Sequence, residues 1–253
     1  MRRFRNLNIA FVHVPKTGGS SLLRLLRRNY SPRSMMLYYP PRHVDVARMS
    51  GRGNLFVGHY SIGKQHEVFD DCTLVTFLRD PIDRLISNIF FMQRYYTQPQ
   101  IPPDSVYKKW FRENEDVFEV LRCTRLWYLD NAMVRMISGV HDSIPYGQLD
   151  ERSLEKAKAN LHKFDFIGFQ ESFEDDVLRL CSRYQLKTVI GKQNHGFNRY
   201  APGAKDHELL EARNVLDREL YQFARTMVAR ENVGAGKAFF MKTMGRVRNA
   251  YSR

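Results

Sequence analysis

The chain has 253 residues, 43% of them hydrophobic, and a formal net charge of +13. That length holds one large α/β domain or two small ones, and that hydrophobic share excludes global disorder. The excess of 40 basic over 27 acidic side chains points to an anionic partner: nucleic acid, anionic lipid, acidic polysaccharide or a polyphosphorylated small molecule.

The charge is uneven. Residues 1–44 hold eight Arg and Lys16 with no Asp or Glu, an arrangement suited to funnelling an anion. Lys237 to Arg253 hold five basic residues and no acidic one, which reads as a basic tail over 237–253 behind a single domain over 1–236. Cys72, Cys123 and Cys181 are odd in number and lack metal-ligand spacing. They predict a reducing compartment and no metal. No apolar run approaches the ~18 residues of a membrane span, and the first apolar run is too short for a signal peptide. The expectation is a cytoplasmic protein, or a Golgi-lumenal catalytic domain if the chain is a truncated one.

Strand candidates are Asn8–Val12, Leu55–Val57, Thr73–Leu78 and Phe166–Phe169, with a weaker one at Lys187–Ile190. Helix candidates begin at Ser20, Pro81, Asp116, Asp150, Glu171 and Asp206. Pro99 to Pro103 marks a break, and Gly191 to Gly203 is a polar loop. Strands alternating with helices predict an α/β fold, a central parallel sheet flanked by helices.

The first strand feeds the segment Val12-His-Val-Pro-Lys-Thr-Gly-Gly-Ser-Ser21, and a Leu-rich periodic stretch follows. Strand, glycine turn and helix N-terminus in that order make a phosphate site. Glycines let backbone approach the anion, and the helix dipole favours it. Lys16 adds a full charge; Thr17, Ser20 and Ser21 add hydroxyls. The lysine precedes the glycines, whereas a Walker loop ends in Gly-Lys-Ser/Thr. The same residues also fit a plain strand-to-helix turn.

In the stretch Thr76-Phe-Leu-Arg-Asp-Pro-Ile-Asp-Arg-Leu-Ile-Ser-Asn-Ile-Phe-Phe91, Asp80 reads as an N-cap and Pro81 as the first helical residue. Ile82, Leu85, Ile86, Ile89 and Phe90 mark an apolar face, with Arg84, Ser87 and Asn88 on others. Arg79 ends the strand, where open α/β sheets bind ligands, and a guanidinium suits phosphate. An Arg79–Asp80 surface pair with a solvated Ser87 fits equally at this point.

Arg79 and Ser87 on a strand–turn–helix, with the Lys16 loop upstream, resemble the phosphate motifs of sulfotransferases that use 3′-phosphoadenylyl sulfate (PAPS). The pattern is similar to the membrane-type carbohydrate enzymes, within them to the heparan/uronyl 2-O-sulfotransferase-like branch, with Gly-Gly as in bacterial relatives. Gly58-His59-Tyr60-Ser61, Asp130 to Gly139, Ala157 to Leu161 followed by Phe164 to Glu174, and Arg213 to Ala224 look like further family blocks. The resemblance spans about residues 8 to 228 and implies a P-loop-NTPase-like sulfotransferase fold.

It also implies chemistry. Lys16, Thr17, Gly18, Gly19, Ser20 and Ser21 would bind the 5′-phosphosulfate, with Lys16 stabilising the leaving oxygen. Arg79 and Ser87 would read the 3′-phosphate. His59 would be the general base toward a carbohydrate hydroxyl, with His13 and His66 as weaker candidates. The acceptor would be an anionic or neutral glycan, which Arg42 and Lys64 suit as neighbouring cations. Asn194, Asn198, Arg199 and Tyr200 fall where the family closes a loop over the nucleotide. The product would be 3′-phosphoadenosine 5′-phosphate (PAP), and no metal, nucleic acid or membrane span is expected. Two other classes remain open: a nucleotide kinase or other P-loop phosphotransferase, and a basic protein binding an anionic polymer.

Overall fold

A computed structural model describes residues 7–38, 53–59, 71–114, 116–123, 125–140, 143–187 and 202–231. Five strands form one sheet: β1 (Ile9–Val12), β2 (Met35–Tyr38), β3 (Leu55–Gly58), β4 (Thr73–Leu78) and β5 (Phe166–Phe169). Their spatial order is β2-β3-β1-β4-β5, and every pairing is parallel. The register sets Val12 beside Gly58 on one side and Thr76 on the other. The strand after each crossover therefore ends at the same edge, so the loops that follow β1, β3, β4 and β5 meet there.

Both sheet faces are covered, which is why the strands read as unbroken apolar runs rather than alternating ones. Ala10, Val12, Phe56, Leu74, Leu78 and Ile167 face α5 (Ala132–Ser138), α6 (Glu151–Leu161) and a long helix, α9, over 215–231. Ile9, Phe11, Leu55, Val57, Val75 and Phe77 face α1 (Gly19–Leu26) and α7 (Phe173–Tyr184). Alternate residues of one strand thus serve opposite cores. A third apolar cluster joins α2 (Pro81–Tyr96), α3 (Val106–Glu113), α4 (Val120–Cys123) and α8 (Ala204–Ala212) through Leu85, Ile89, Phe111, Leu121 and Leu210.

The predicted parallel α/β arrangement is the one observed. Four strands stand where the apolar runs put them, Asp80 caps α2 as read, and Asp150, where a helix was expected to begin, caps α6. The edge strand β2 and helices α3, α5 and α9 were not foreseen. The helix expected from Glu171 begins at Phe173, and the one expected from Asp206 begins at Ala204. Residues 188–190 of the weaker strand candidate lie outside the described residues, as do the tail 237–253 and most of the polar loop. Lys187 is not in a strand. Among the described residues, no helix is long and apolar enough to cross a membrane.

Candidate functional site

The turn from β1 into α1 is held from inside. The Thr17 hydroxyl is buried and donates to the Val14 carbonyl at 2.8 Å, so its proton is committed within the loop. Lys16 and Gly18 both adopt positive φ, 70° and 86°. At Gly18 a Cβ would stand 2.2 Å from Gln170 Oε1 and 2.8 Å from a Phe173 ring carbon. At Gly19 it would stand 1.9 Å from Nε2 of His13. The glycines therefore admit neighbouring side chains of the protein itself, besides leaving backbone bare for a ligand.

Gly18 is the N-cap of α1, and it supplies no side-chain cap. Its carbonyl accepts from the N–H groups of Ser21 and Leu22, at 3.0 and 3.1 Å. The first turn carries no acidic residue, and Ser20 is exposed and Ser21 half-buried there. A helix start that lacks a side-chain cap and has lysine beside it favours an anion.

Lys16 is half-buried, with Nζ 4.4 Å from the centroid of the Phe91 ring. Burial, then the positive charges of Arg94 and Arg79, push its pKa down to about 8. Arg79, at the end of β4, donates to the Lys16 carbonyl over a long 3.4 Å. Burial and two neighbouring cations raise the cost of the Lys16 charge when no anion is present, so the lysine gains by binding one.

Asp80 fixes the direction of α2 by accepting from the N–H groups of Ile82 and Asp83, at 2.9 and 3.1 Å. Its own N–H donates to Glu171 at 2.7 Å, and the Tyr221 hydroxyl donates to the other Glu171 oxygen at 2.8 Å. The strand end that carries Arg79 is thus tied to the loop after β5 and to α9. Ser87 lies half-buried on α2, one turn before Phe91 and two before Arg94, a spacing that keeps all three on one side of the helix.

His59 follows the last residue of β3. Its Nδ1 lies 2.7 Å from the backbone oxygen of His13, and its ring stacks on the His13 ring at 4.7 Å. A carbonyl only accepts, so Nδ1 carries the proton, and the neutral ring keeps its lone pair on Nε2. His13 is buried against Gly19 and stacks also on Phe11. Burial first, then His59 and Lys16, hold its pKa well below the usual imidazole value, so it stays neutral. His13 is the wedge between loop and strand, whereas His59 is the ring with a defined tautomer.

Lys16, Thr17, Gly18, Gly19, Ser20, Ser21, His59 and Arg79 thus come to one edge of the sheet, with Ser87 on the helix that leaves it. His66, Arg42, Lys64, Asn194, Asn198, Arg199 and Tyr200 lie outside the described residues. Three neighbours escaped sequence reasoning: Phe91, Arg94 and Gln170. The first two were readable as the next same-side positions after Ser87. Gln170, the residue just after β5, has a buried Oε1 with no hydrogen-bond partner among the described residues. Among the described residues, no cluster of His, Cys, Asp and Glu could hold a metal ion.

No curated protein sequence matches the chain. Among solved structures it is similar to mouse sulfotransferase SULT7A1, crystallised in complex with PAP, at 14% identity and a TM-score of 0.39. That alignment covers 81% of this chain and 62% of the mouse one, so this chain spans less than two thirds of that protein. So distant a likeness carries no argument, and the family assignment rests on the sequence-family match alone. Residues 1–228 match the Sulfotransferase family. The match takes in both sheet faces, the lysine loop and the Arg79 strand end, and the chain belongs to the sulfotransferase family.

Proposed function

We propose that the protein moves the sulfuryl group of PAPS to a carbohydrate hydroxyl, as the heparan/uronyl 2-O-sulfotransferase-like branch does. The observation that carries this reading is the meeting of an anion site and a histidine of fixed tautomer. Lys16, Arg79 and the start of α1 supply the first; His59, pinned through Nδ1 to the His13 carbonyl, supplies the second.

In the proposed reaction the acceptor oxygen forms a bond to sulfur while the bond from sulfur to the 5′-phosphate oxygen breaks. The hydroxyl proton goes to His59 Nε2. The negative charge left on the phosphate oxygen of PAP is met by the Lys16 ammonium, with N–H groups of the α1 start beside it. Arg79 and Ser87 take the 3′-phosphate, the feature that separates PAPS from ATP-like ligands. The transfer is mostly positioning and charge neutralisation, as in phosphoryl transfer. We take residues 1–236 as one catalytic domain and 237–253 as a basic tail.

The test is transfer of labelled sulfate from PAPS to a panel of glycans. His59→Ala should lower turnover about 10²–10⁴-fold, the range of a lost general base, with PAP affinity within about twofold of wild type. Lys16→Ala should lose both turnover and PAP affinity. Near-normal turnover in His59→Ala would remove it as the base. Mg²⁺-dependent binding of ATP with no response to PAP would favour a phosphotransferase instead. DNA affinity falling steeply with salt, without PAP binding, would favour a basic binding protein.

A further inference from the structure

Among the described residues, Phe91 and Tyr95 are the two aromatic members of the exposed large hydrophobic residues, at 41% and 42% exposure. They sit one turn apart on α2 and stack on each other, centroids 5.9 Å apart and 22° between planes. Such surface is costly to leave in water, and a stacked pair is less readily dismissed than a scattered one. Tyr95 is braced from behind by Tyr96, edge-on at 5.2 Å, and Tyr96 is in turn packed on Tyr107 at 4.9 Å. The strip is therefore backed by packed aromatic rings.

Its position carries the argument. Lys16 Nζ lies over Phe91, so the strip begins where the sulfuryl group would be transferred under the reading above. Arg94, exposed and between the two rings in sequence, lies close enough to depress the Lys16 pKa. A bound PAPS would occupy Lys16 and Arg79 with its phosphates, which leaves Arg94 to meet another anionic group.

Resting on the sulfotransferase reading, we propose that the Phe91–Tyr95 strip is the acceptor platform. A sugar ring of the glycan lies with its apolar C–H face on the aromatic pair, and an anionic substituent of the sugar meets Arg94. The charge of Arg94, one turn after Phe91 on α2, selects an anionic sugar over a neutral one, and the aromatic strip sets the ring's tilt, hence which hydroxyl faces the sulfur. Tyr95 and Arg94 are specificity-determining residues in this scheme.

The test is calorimetric titration of PAP-saturated protein with galacturonate and hyaluronan hexasaccharides, and with cellohexaose as the neutral probe. A uronate oligosaccharide should bind, and cellohexaose should bind at least about tenfold more weakly. Tyr95→Ala should weaken the uronate by about tenfold, as expected for a lost stacking contact, while Tyr95→Trp restores it to within about threefold. The Tyr95 variants should keep wild-type PAP affinity and unfolding midpoint. Arg94→Gln should erase the preference for uronate over cellohexaose. The platform is overturned if Tyr95→Ala binds as tightly as wild type, if Tyr95→Trp fails to rescue, if neither uronate binds PAP-loaded protein, or if cellohexaose binds equally well. Absence of PAP binding to the wild type is a separate result, and it overturns the sulfotransferase reading first.

Discussion

Lys16 is the residue whose chemistry is most exposed to test. Its pKa of about 8 in the free protein reflects burial and two neighbouring cations. A bound phosphate favours the ammonium, so PAP must raise that pKa. Below pH 8 the lysine is charged with and without ligand, and affinity should be level. Above pH 8 the free protein loses the proton that the complex keeps, so affinity should fall with rising pH, approaching tenfold per unit. Titrations of PAP from pH 7 to 9.5 should show that fall, and Lys16→Gln should flatten it. Gly18→Ala is a second residue-scale prediction. With φ at +86° and Phe173 behind it, an alanine there should cost about 1–3 kcal/mol of stability, read by urea unfolding. The need for glycine and lysine at this turn was legible in the sequence, and so was Arg79 at a strand end. That Gly19 makes room for His13, and that Thr17 spends its hydroxyl on Val14, was not, because both are contacts made only once β1, the loop and α1 have folded together.

Among the elements, α2 and α9 are the pair whose union most affects the site. Arg84 is wholly buried on α2, and Asp217 is wholly buried on α9, with Nε and a carboxylate oxygen 3.9 Å apart. Asp217 also accepts from the N–H groups of Met133 and Val134 at the start of α5, at 3.0 and 2.7 Å. Burial raises its pKa to about 6, partly offset by Arg84 and by those N–H groups. One carboxylate thus caps α5 and neutralises the arginine three residues before Ser87. Asp217→Ala should cost about 3–5 kcal/mol, because it strands a buried charge. Replacing both partners, as Arg84→Met with Asp217→Leu, should cost less than the sum of the two single changes, measured by urea unfolding. The sequence placed Arg84 off the apolar face, and so it is in composition; only the fold shows that the face is covered by α9. Helix α5 was missed because Asp130 to Gly139 is short and apolar nearly all round, without the one-sided period that marks a surface helix. Strand β2 was missed because four residues ending in Tyr38 carry too little pattern, and its place is fixed by pairing with β3 from Met35 to Tyr38.

At the scale of the whole molecule, the sheet order puts the first strand in the middle, so the loop after β1 is flanked by the ends of β3 and β4. In the proposed reading, the histidine after one neighbour would be the base and the arginine after the other would take the second anionic group. A ligand that binds this edge and not the unfolded chain stabilises the whole fold. The central claim is that the edge recognises a nucleotide carrying both a 5′- and a 3′-phosphate. It is tested most directly by the unfolding midpoint of the wild type and of Arg79→Ala with PAP, AMP or ATP–Mg²⁺. PAP at a hundredfold over its Kd should stabilise the wild type by about 2.7 kcal/mol, roughly 5–10 °C for a chain of this size. AMP and ATP–Mg²⁺ should give far less, and Arg79→Ala should lose the preference for PAP over AMP. An equal shift from PAP and AMP, or a preference for ATP–Mg²⁺, would contradict the account.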